Sequence, residues 1–131
     1  MCLAARVKST QWILDSGCTR HMSGDKAQFL SLQMKKGGRV TIGDSKTLQI
    51  LGKGKIGNKL ISIDKVQYVK GLKYNLLSIS QLYDDGHTVN FGIDKCIITI
   101  GTNKVPLVAR REGNIYILDF ELQKTACCLL Q

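Results

Sequence analysis

The heptapeptide Trp12-Ile13-Leu14-Asp15-Ser16-Gly17-Cys18 places three apolar residues directly before an acid, a hydroxyl and a glycine. The apolar run predicts a short buried strand, and Gly17 permits a sharp turn immediately after it. We therefore expect the carboxylate of Asp15 at the end of a strand. From these residues alone, two interpretations stay open. One is an Asx-type turn after a core strand, which needs only Asp15 and Gly17; the other is the catalytic acid of an aspartic protease.

The composition predicts one turn-rich β domain with an aliphatic core. The chain has 131 residues, of which 44% are hydrophobic but only 6% aromatic, and thirteen glycines stand against one proline. No apolar run reaches the length of a membrane span, and no secretory signal is visible. Five cysteines, without paired spacing, argue against a disulfide framework and for a reducing compartment. Cys18 and His21 are the only pair at a metal-ligand spacing, and zinc needs about four ligands. We expect neither a metal nor another cofactor.

The net charge of +9 is concentrated in one part of the chain. Seven Lys or Arg and one Asp lie between Gln33 and Leu60. Such a surface could contact nucleic acid, but the interleaved aromatic residues of a single-strand binder are missing there. We interpret the segment as a basic, glycine-rich β surface and keep nucleic-acid binding as a secondary hypothesis.

Alternating apolar residues predict a hairpin between Gly37 and Leu51. Glycines 52, 54 and 57 predict a bulge or a close backbone approach in the following strand. Further strands are predicted at 60–63, 65–69, 88–91, 96–100, 104–108 and 114–118, whereas 26–32 fits either a helix or a strand. Helical spacing predicts a helix over Asn75–Tyr83, with Asn75 as its N-cap and Gly86 as its stop.

Peptide hydrolysis by carboxylates requires two of them, about 3 Å apart and sharing one proton. The chain has one Asp-Ser-Gly triplet, and Gly43-Asp44-Ser45 has the wrong residue order at a hairpin tip. The second acid must then be Asp15 of another copy, brought close by a two-fold axis. His21 is either a second acid–base group or a loop histidine bonded to backbone, and we favour the latter.

A site of this kind needs a cover that excludes water. The hairpin from Val40 to Leu48 is the best candidate, and its tip residues are the candidate flap: Ile42, Gly43, Asp44 and Ser45. An ordinary surface hairpin is the alternative interpretation. Aliphatic walls predict apolar substrate pockets.

Two longer segments resemble the protease region of copia-type LTR retrotransposon Pol polyproteins. They are Trp12-Ile-Leu-Asp-Ser-Gly-Cys-Thr-Arg-His-Met-Ser-Gly-Asp25 and Gly71-Leu-Lys-Tyr-Asn-Leu-Leu-Ser-Ile-Ser-Gln-Leu82. The similarity extends from about residue 11 to residue 120. It implies a mainly β, retropepsin-like acid protease fold, which is a closed β-barrel or sandwich with one short C-terminal helix. It also implies a homodimeric aspartic endopeptidase that cleaves its own Gag-Pol polyprotein, in the cytoplasm and within virus-like particles.

The resemblance assigns roles to the triplet. Asp15 would be the catalytic acid, Ser16 the hydroxyl that locks the two loops across the dimer axis, and Gly17 the turn residue that offers backbone to substrate. Cys18 departs from the alanine of retroviral enzymes. Lys73 and Tyr74 stand where those enzymes carry an arginine, so the ionic tie between helix and loop is in question.

The resemblance also divides the chain. We expect an N-terminal arm at 1–10, a protease core at 11–92 and, at 93–131, a C-terminal extension leading toward the pre-integrase region. Two alternatives stay open for the extension: its strands contribute to the sheet of the dimer, or it is a linker awaiting cleavage. The expected partners are a second copy of the chain and peptide segments of its polyprotein, with no membrane. The alternative function is a catalytically inactive or domesticated dimeric module for binding or scaffolding.

Overall fold

The computed structural model describes residues 7–42, 45–58, 60–101 and 105–120. Most of the predicted N-terminal arm, the tip residues Gly43 and Asp44, and the end of the predicted C-terminal extension lie outside these ranges. The elements are β1 (Gln11–Asp15), β2 (Met22–Ser23), a 3-10 turn (Lys26–Gln28), β3 (Phe29–Met34), β4 (Arg39–Ile42), β5 (Lys46–Gly57), β6 (Ser62–Val69), β7 (Asn75–Ser78), α1 (Ile79–Asp84), β8 (Thr88–Phe91), β9 (Lys95–Ile100), β10 (Val105–Glu112) and β11 (Ile115–Asp119).

The strands form one sheet in the order β3-β5-β6-β2-β7-β1-β11-β10-β9-β8, and β4 pairs with β5 beside this path. The mainly β class with one short α-helix is confirmed. The expected closure is not found, because β3 and β8 lie at opposite ends of the strand order and do not pair within the described part of the chain. Four strands follow α1, so the helix is not at the end of the chain.

The centre of the sheet determines where the Asp15 loop lies. Strand β7 lies between β1 and β2, parallel to the first and antiparallel to the second. The loop that joins β1 to β2 must therefore pass over the end of β7. The register places Asp15 beside Ser78, at the point where β7 becomes α1.

Two apolar clusters stabilise the fold. The larger one includes buried side chains from β1, β6, β7, α1 and the last strands, among them Trp12, Leu77 and Leu118. The smaller one is built on Met22 and Ile50, together with Val69, beneath the β4–β5 hairpin. All three of its central residues are at most 7% exposed, so this end of the sheet has a packed core of its own.

The helix predicted over Asn75–Tyr83 is wrong in its first four residues. Those residues form β7 because they pair in parallel with β1. The side chain of Asn75 is buried and does not cap a helix: its amide donates to the backbone oxygens of Ser9 at 2.8 Å and Gln11 at 3.0 Å. Ser78 is the N-cap, and its hydroxyl accepts from the backbone N–H of Gln81. Gly86, with φ of 88°, follows the end of the helix as predicted.

The strands predicted at 60–63 and 65–69 are one strand, β6. Asp64 lies inside it, and Lys65 adopts a φ of 61° next to a register shift against β5. This irregularity turns both Ile63 and Val66 into the core, although they are an odd number of residues apart.

The hairpin predicted between residues 37 and 51 is confirmed, with Val40 opposite Leu48. The close backbone approach at the glycines is also confirmed, since a Cβ on Gly54 would lie 2.1 Å from the carbonyl oxygen of Ser31. The ambiguous segment 26–32 contains both alternatives, a single 3-10 turn followed by the start of β3. The strands predicted at 88–91, 96–100 and 114–118 are present within about one residue of those bounds.

The last four strands extend the sheet on the far side of β1. Strand β11 pairs antiparallel with β1, with Leu118 opposite Trp12. Strands β8 and β9 pair with each other across position 92. The predicted boundary between core and extension thus falls in the turn of a hairpin, and the division itself stays a prediction. No helix in the described ranges is long and apolar enough to cross a membrane.

Candidate functional site

Asp15 is the last residue of β1 and is half-buried at the start of the loop. Its Oδ1 accepts a hydrogen bond from the backbone N–H of Gly17 at 2.7 Å, which is an Asx-type turn. The turn predicted from the triplet is therefore present. It restricts the orientation of the carboxylate and leaves an acidic role open.

Asp15 lines a cleft of about 220 Å³. The walls of the cleft come from the Asp15 loop, β2, β4 and β7, and the lining residues are Asp15, Gly17, Cys18, Thr19, Met22, Val40, Thr41, Ile42 and Leu76. Apart from the loop, the lining is mostly apolar, with Thr41 as the exception. Whether the cleft binds a substrate stays a prediction. Asp15 is the one acid among these lining residues, so the described part of a single chain brings no second carboxylate into the cleft.

The β4–β5 hairpin borders the same cleft as Asp15. Of the candidate flap residues, Ile42 lines the cleft and Ser45 does not, while Gly43 and Asp44 lie outside the described residues. The side chains of Val40 and Ile42 also pack on the smaller apolar cluster, as does Cys18 from the loop. Hairpin and loop are therefore held by one shared set of apolar contacts.

The start of α1 fastens the Asp15 loop. The hydroxyl of Ser78 lies 2.8 Å from the carbonyl oxygen of Cys18, to which it donates, and it accepts from the N–H of Gln81 at 3.2 Å. Neutral hydrogen bonds thus connect helix and loop where an ionic tie was in question. Ser78 is not among the site residues predicted from the sequence, although Ser78-Ile-Ser-Gln81 fits the pattern of a capping box.

His21 is fully buried behind the loop rather than in the cleft. Its ring Nδ1 accepts from the backbone N–H of Ser78 at 2.9 Å, and the backbone N–H of His21 donates to Oε1 of Gln81 at 2.9 Å. The ring Nε2 is buried and has no hydrogen-bond partner among the described residues. The favoured interpretation, a loop histidine bonded to backbone, is confirmed. Burial lowers the pKa of the imidazole to about 4, against the opposing effect of the Asp85 charge. His21 is therefore neutral at physiological pH.

Cys18 is not an activated thiol. Burial, and after it the neighbouring charge of Asp15, raises the pKa of Cys18 to about 12. A thiol that stays protonated at neutral pH is a poor nucleophile and a poor metal ligand. Among the described residues, no three His, Cys, Asp or Glu side chains come together as a metal site would require.

Ser16 and Gly17 are exposed on the loop, and Gly17 also lines the cleft. The exposed hydroxyl of Ser16 is accessible to another molecule, and the roles given to both residues stay predictions. The basic surface predicted between residues 33 and 60 also faces solvent. Among its described residues, the exposed cations are Lys35, Lys36, Arg39, Lys46, Lys53 and Lys55.

Comparison with known proteins identifies a family whose matched region contains the Asp15 cleft. Residues 12–87 match the protein family described as "Pol polyprotein, beta-barrel domain". A curated relative, the putative transposon Ty5-1 protein YCL075W of Saccharomyces cerevisiae, is 33% identical over 72 residues. That match covers 55% of this chain and 49% of the relative, so the chain spans about half the length of the relative. No solved structure matches the chain.

Proposed function

Because the chain belongs to the family of Pol polyprotein β-barrel domains, we propose that it is the aspartic endopeptidase of a copia-type retrotransposon. Its substrate would be the Gag-Pol polyprotein of the element. The observation that carries this proposal is the cleft in which Asp15 lies between its own loop and the β4–β5 hairpin. A carboxylate presented by a tight turn at a strand end, beside a cleft with apolar walls from β2, β4 and β7, is suited to act on a bound peptide.

The chemistry requires two copies of the chain. One Asp15 in its ionised form takes a proton from water, while the protonated Asp15 of the second copy polarises the scissile carbonyl. Two carboxylates about 3 Å apart cannot both ionise, so a symmetric pair retains one proton. A two-fold axis beside the Asp15 loops supplies this arrangement, and the exposure of Ser16 and Gly17 supports contacts across it.

The β4–β5 hairpin is proposed as the cover of the groove. Its residues Val40, Thr41 and Ile42 line the Asp15 cleft. A peptide bound there would be partly removed from water, which strengthens the interactions of the carboxylates with the reacting groups.

The first test is cleavage of a longer precursor that contains this chain. The purified protein should produce fragments, and Asp15→Asn should abolish them because Asn cannot accept a proton from water. Asp64→Asn is the matched control. This exposed acid on β6 forms an ion pair with Lys55 at 3.5 Å and does not line the cleft. Retained cleavage by Asp15→Asn would refute the proposal.

The second test concerns the shared pair of acids. Mixed dimers of wild type and Asp15→Asn hold one carboxylate and should be inactive. With a threefold excess of the variant, random exchange between stable dimers should reduce cleavage to about a quarter at a constant amount of wild type. Undiminished cleavage in the mixture would show that one chain suffices and would contradict the dimeric mechanism.

The alternative, an inactive binding or scaffold module, predicts a different result. Such a module would show no cleavage, and peptide binding would persist in Asp15→Asn. Nucleic-acid binding through the basic surface is tested separately by titration at increasing salt, where a steep fall in affinity would support it.

A further inference from the structure

We propose that a second part of the groove, next to the Asp15 cleft, is a subsite for an acidic side chain of the peptide, bound by Arg20 and Arg39. This inference rests on the proposed peptidase function and specifies its substrate. It differs from the expectation of purely apolar pockets.

A second cleft of about 510 Å³ adjoins the one that contains Asp15. Thr19, Met22, Val40 and Thr41 line both clefts, so the two form one continuous groove along β4. Its volume is in the range of sites that bind ligands. A peptide held at Asp15 in an extended conformation can place a neighbouring side chain there.

Two arginines reach this second cleft from different elements. Arg20 belongs to the loop between β1 and β2, and Arg39 is the first residue of β4. The Nε of Arg39 donates to the hydroxyl of Thr47 on β5 at 3.3 Å, which restricts the guanidinium. In the part of the chain that the structure describes, neither arginine forms an ion pair, and no Asp or Glu lines the cleft.

Their surroundings favour a carboxylate as the ligand. The guanidinium group offers parallel N–H donors whose geometry matches both oxygens of a carboxylate. The buried residues Met22 and Ile50 also line the cleft, but both arginines are exposed. Water therefore partly screens an ion pair formed there, and the expected preference for a carboxylate is modest. An acidic side chain would also offset the mutual repulsion of two cations that line one cleft.

The test uses Asp15→Asn protein, so that binding is measured without cleavage. The probes are fluorescein-labelled nonapeptides with a central Leu-Phe pair and one Glu moved stepwise along the flanking positions, each with a Gln counterpart. In a fluorescence anisotropy titration, at least one Glu peptide should bind about three- to fivefold more tightly than its Gln counterpart. Arg39→Gln and Arg20→Gln should each reduce that preference, and both exposed positions tolerate the substitution without loss of core contacts.

Lys53→Gln is the matched control, because Lys53 is an exposed cation on β5 that does not line the cleft. It should leave the Glu preference unchanged. The subsite would be overturned if Glu and Gln peptides bound equally or if no probe bound. It would also be overturned if Lys53→Gln reduced the Glu preference as much as the arginine substitutions do, because general attraction by the net charge would then explain the preference. Glu preference without cleavage by wild type would leave the subsite standing and refute the peptidase. Cleavage by wild type without a Glu preference would support the peptidase and refute the subsite.

Discussion

The buried imidazole of His21 predicts a loss of stability in mild acid. Its pKa is lowered from 6.5 to about 4 in the folded chain, mainly by burial, and its Nδ1 accepts the N–H of Ser78. Between these two pKa values the unfolded chain binds a proton that the folded chain does not. The free energy of unfolding therefore falls as the pH falls through this window, and it is unaffected by this group above it.

The size of the effect follows from the two pKa values. The full separation corresponds to about 3 kcal/mol, because each pKa unit is about 1.4 kcal/mol. On going from about pH 7.5 to about pH 5, the linkage relation gives a loss of about 2 kcal/mol. Most small domains have about 5–15 kcal/mol in total, so the loss is large enough to measure.

The perturbation is His21→Gln, which removes the titrating group and keeps a polar side chain of similar length at the buried position. Urea unfolding at both pH values, at a fixed protein concentration, gives the loss for each protein. The chain has one tryptophan, Trp12, which is buried and reports unfolding by its fluorescence. Wild type should lose about 2 kcal/mol more than His21→Gln. Equal losses would refute the reasoning, because other acids titrate in both proteins and cancel.

Three further predictions test the local structure. Gly54→Ala should destabilise the fold by about 1–3 kcal/mol in urea unfolding, because its Cβ would lie 2.1 Å from the carbonyl oxygen of Ser31; wild-type stability would contradict this close approach. Ser78→Ala should cost about 1–3 kcal/mol by removing the helix cap and the tie to Cys18. The exposed Ser62→Ala on β6 should cost less, and equal costs would refute the tie. Cys18, with a pKa of about 12, should react with iodoacetamide at least about tenfold more slowly in the folded chain than in urea; peptide mass mapping measures this, and equal rates would show an accessible thiolate.

Features that depend on neighbouring residues could be predicted from the sequence. The Asp15 turn is one, since strand, acid and glycine are consecutive. The β4–β5 hairpin is another, because alternation of apolar residues continues on both sides of its turn. The glycines of β5 indicate close backbone contact even without knowledge of the partner strand.

Features that depend on distant pairing could not be predicted. Residues 75–78 have helical spacing, but parallel pairing with β1 makes them a strand. Ser78 contacts Cys18 and His21, which are about sixty residues away in the sequence. The sequence indicates a role for Ser78 only through the local capping pattern. The meeting of Arg20 with Arg39 in one cleft likewise depends on how the hairpin packs.

The place of β11 beside β1 has a consequence for any processing of the polyprotein near residue 92. A cut there would free the piece that carries β11, and its departure would expose the backbone N–H and C=O groups of the strand that ends in Asp15. Unpaired strand edges readily form backbone hydrogen bonds with strands of other chains. A mature product trimmed at this point would therefore need either to retain the severed piece or to replace it with a strand from another chain.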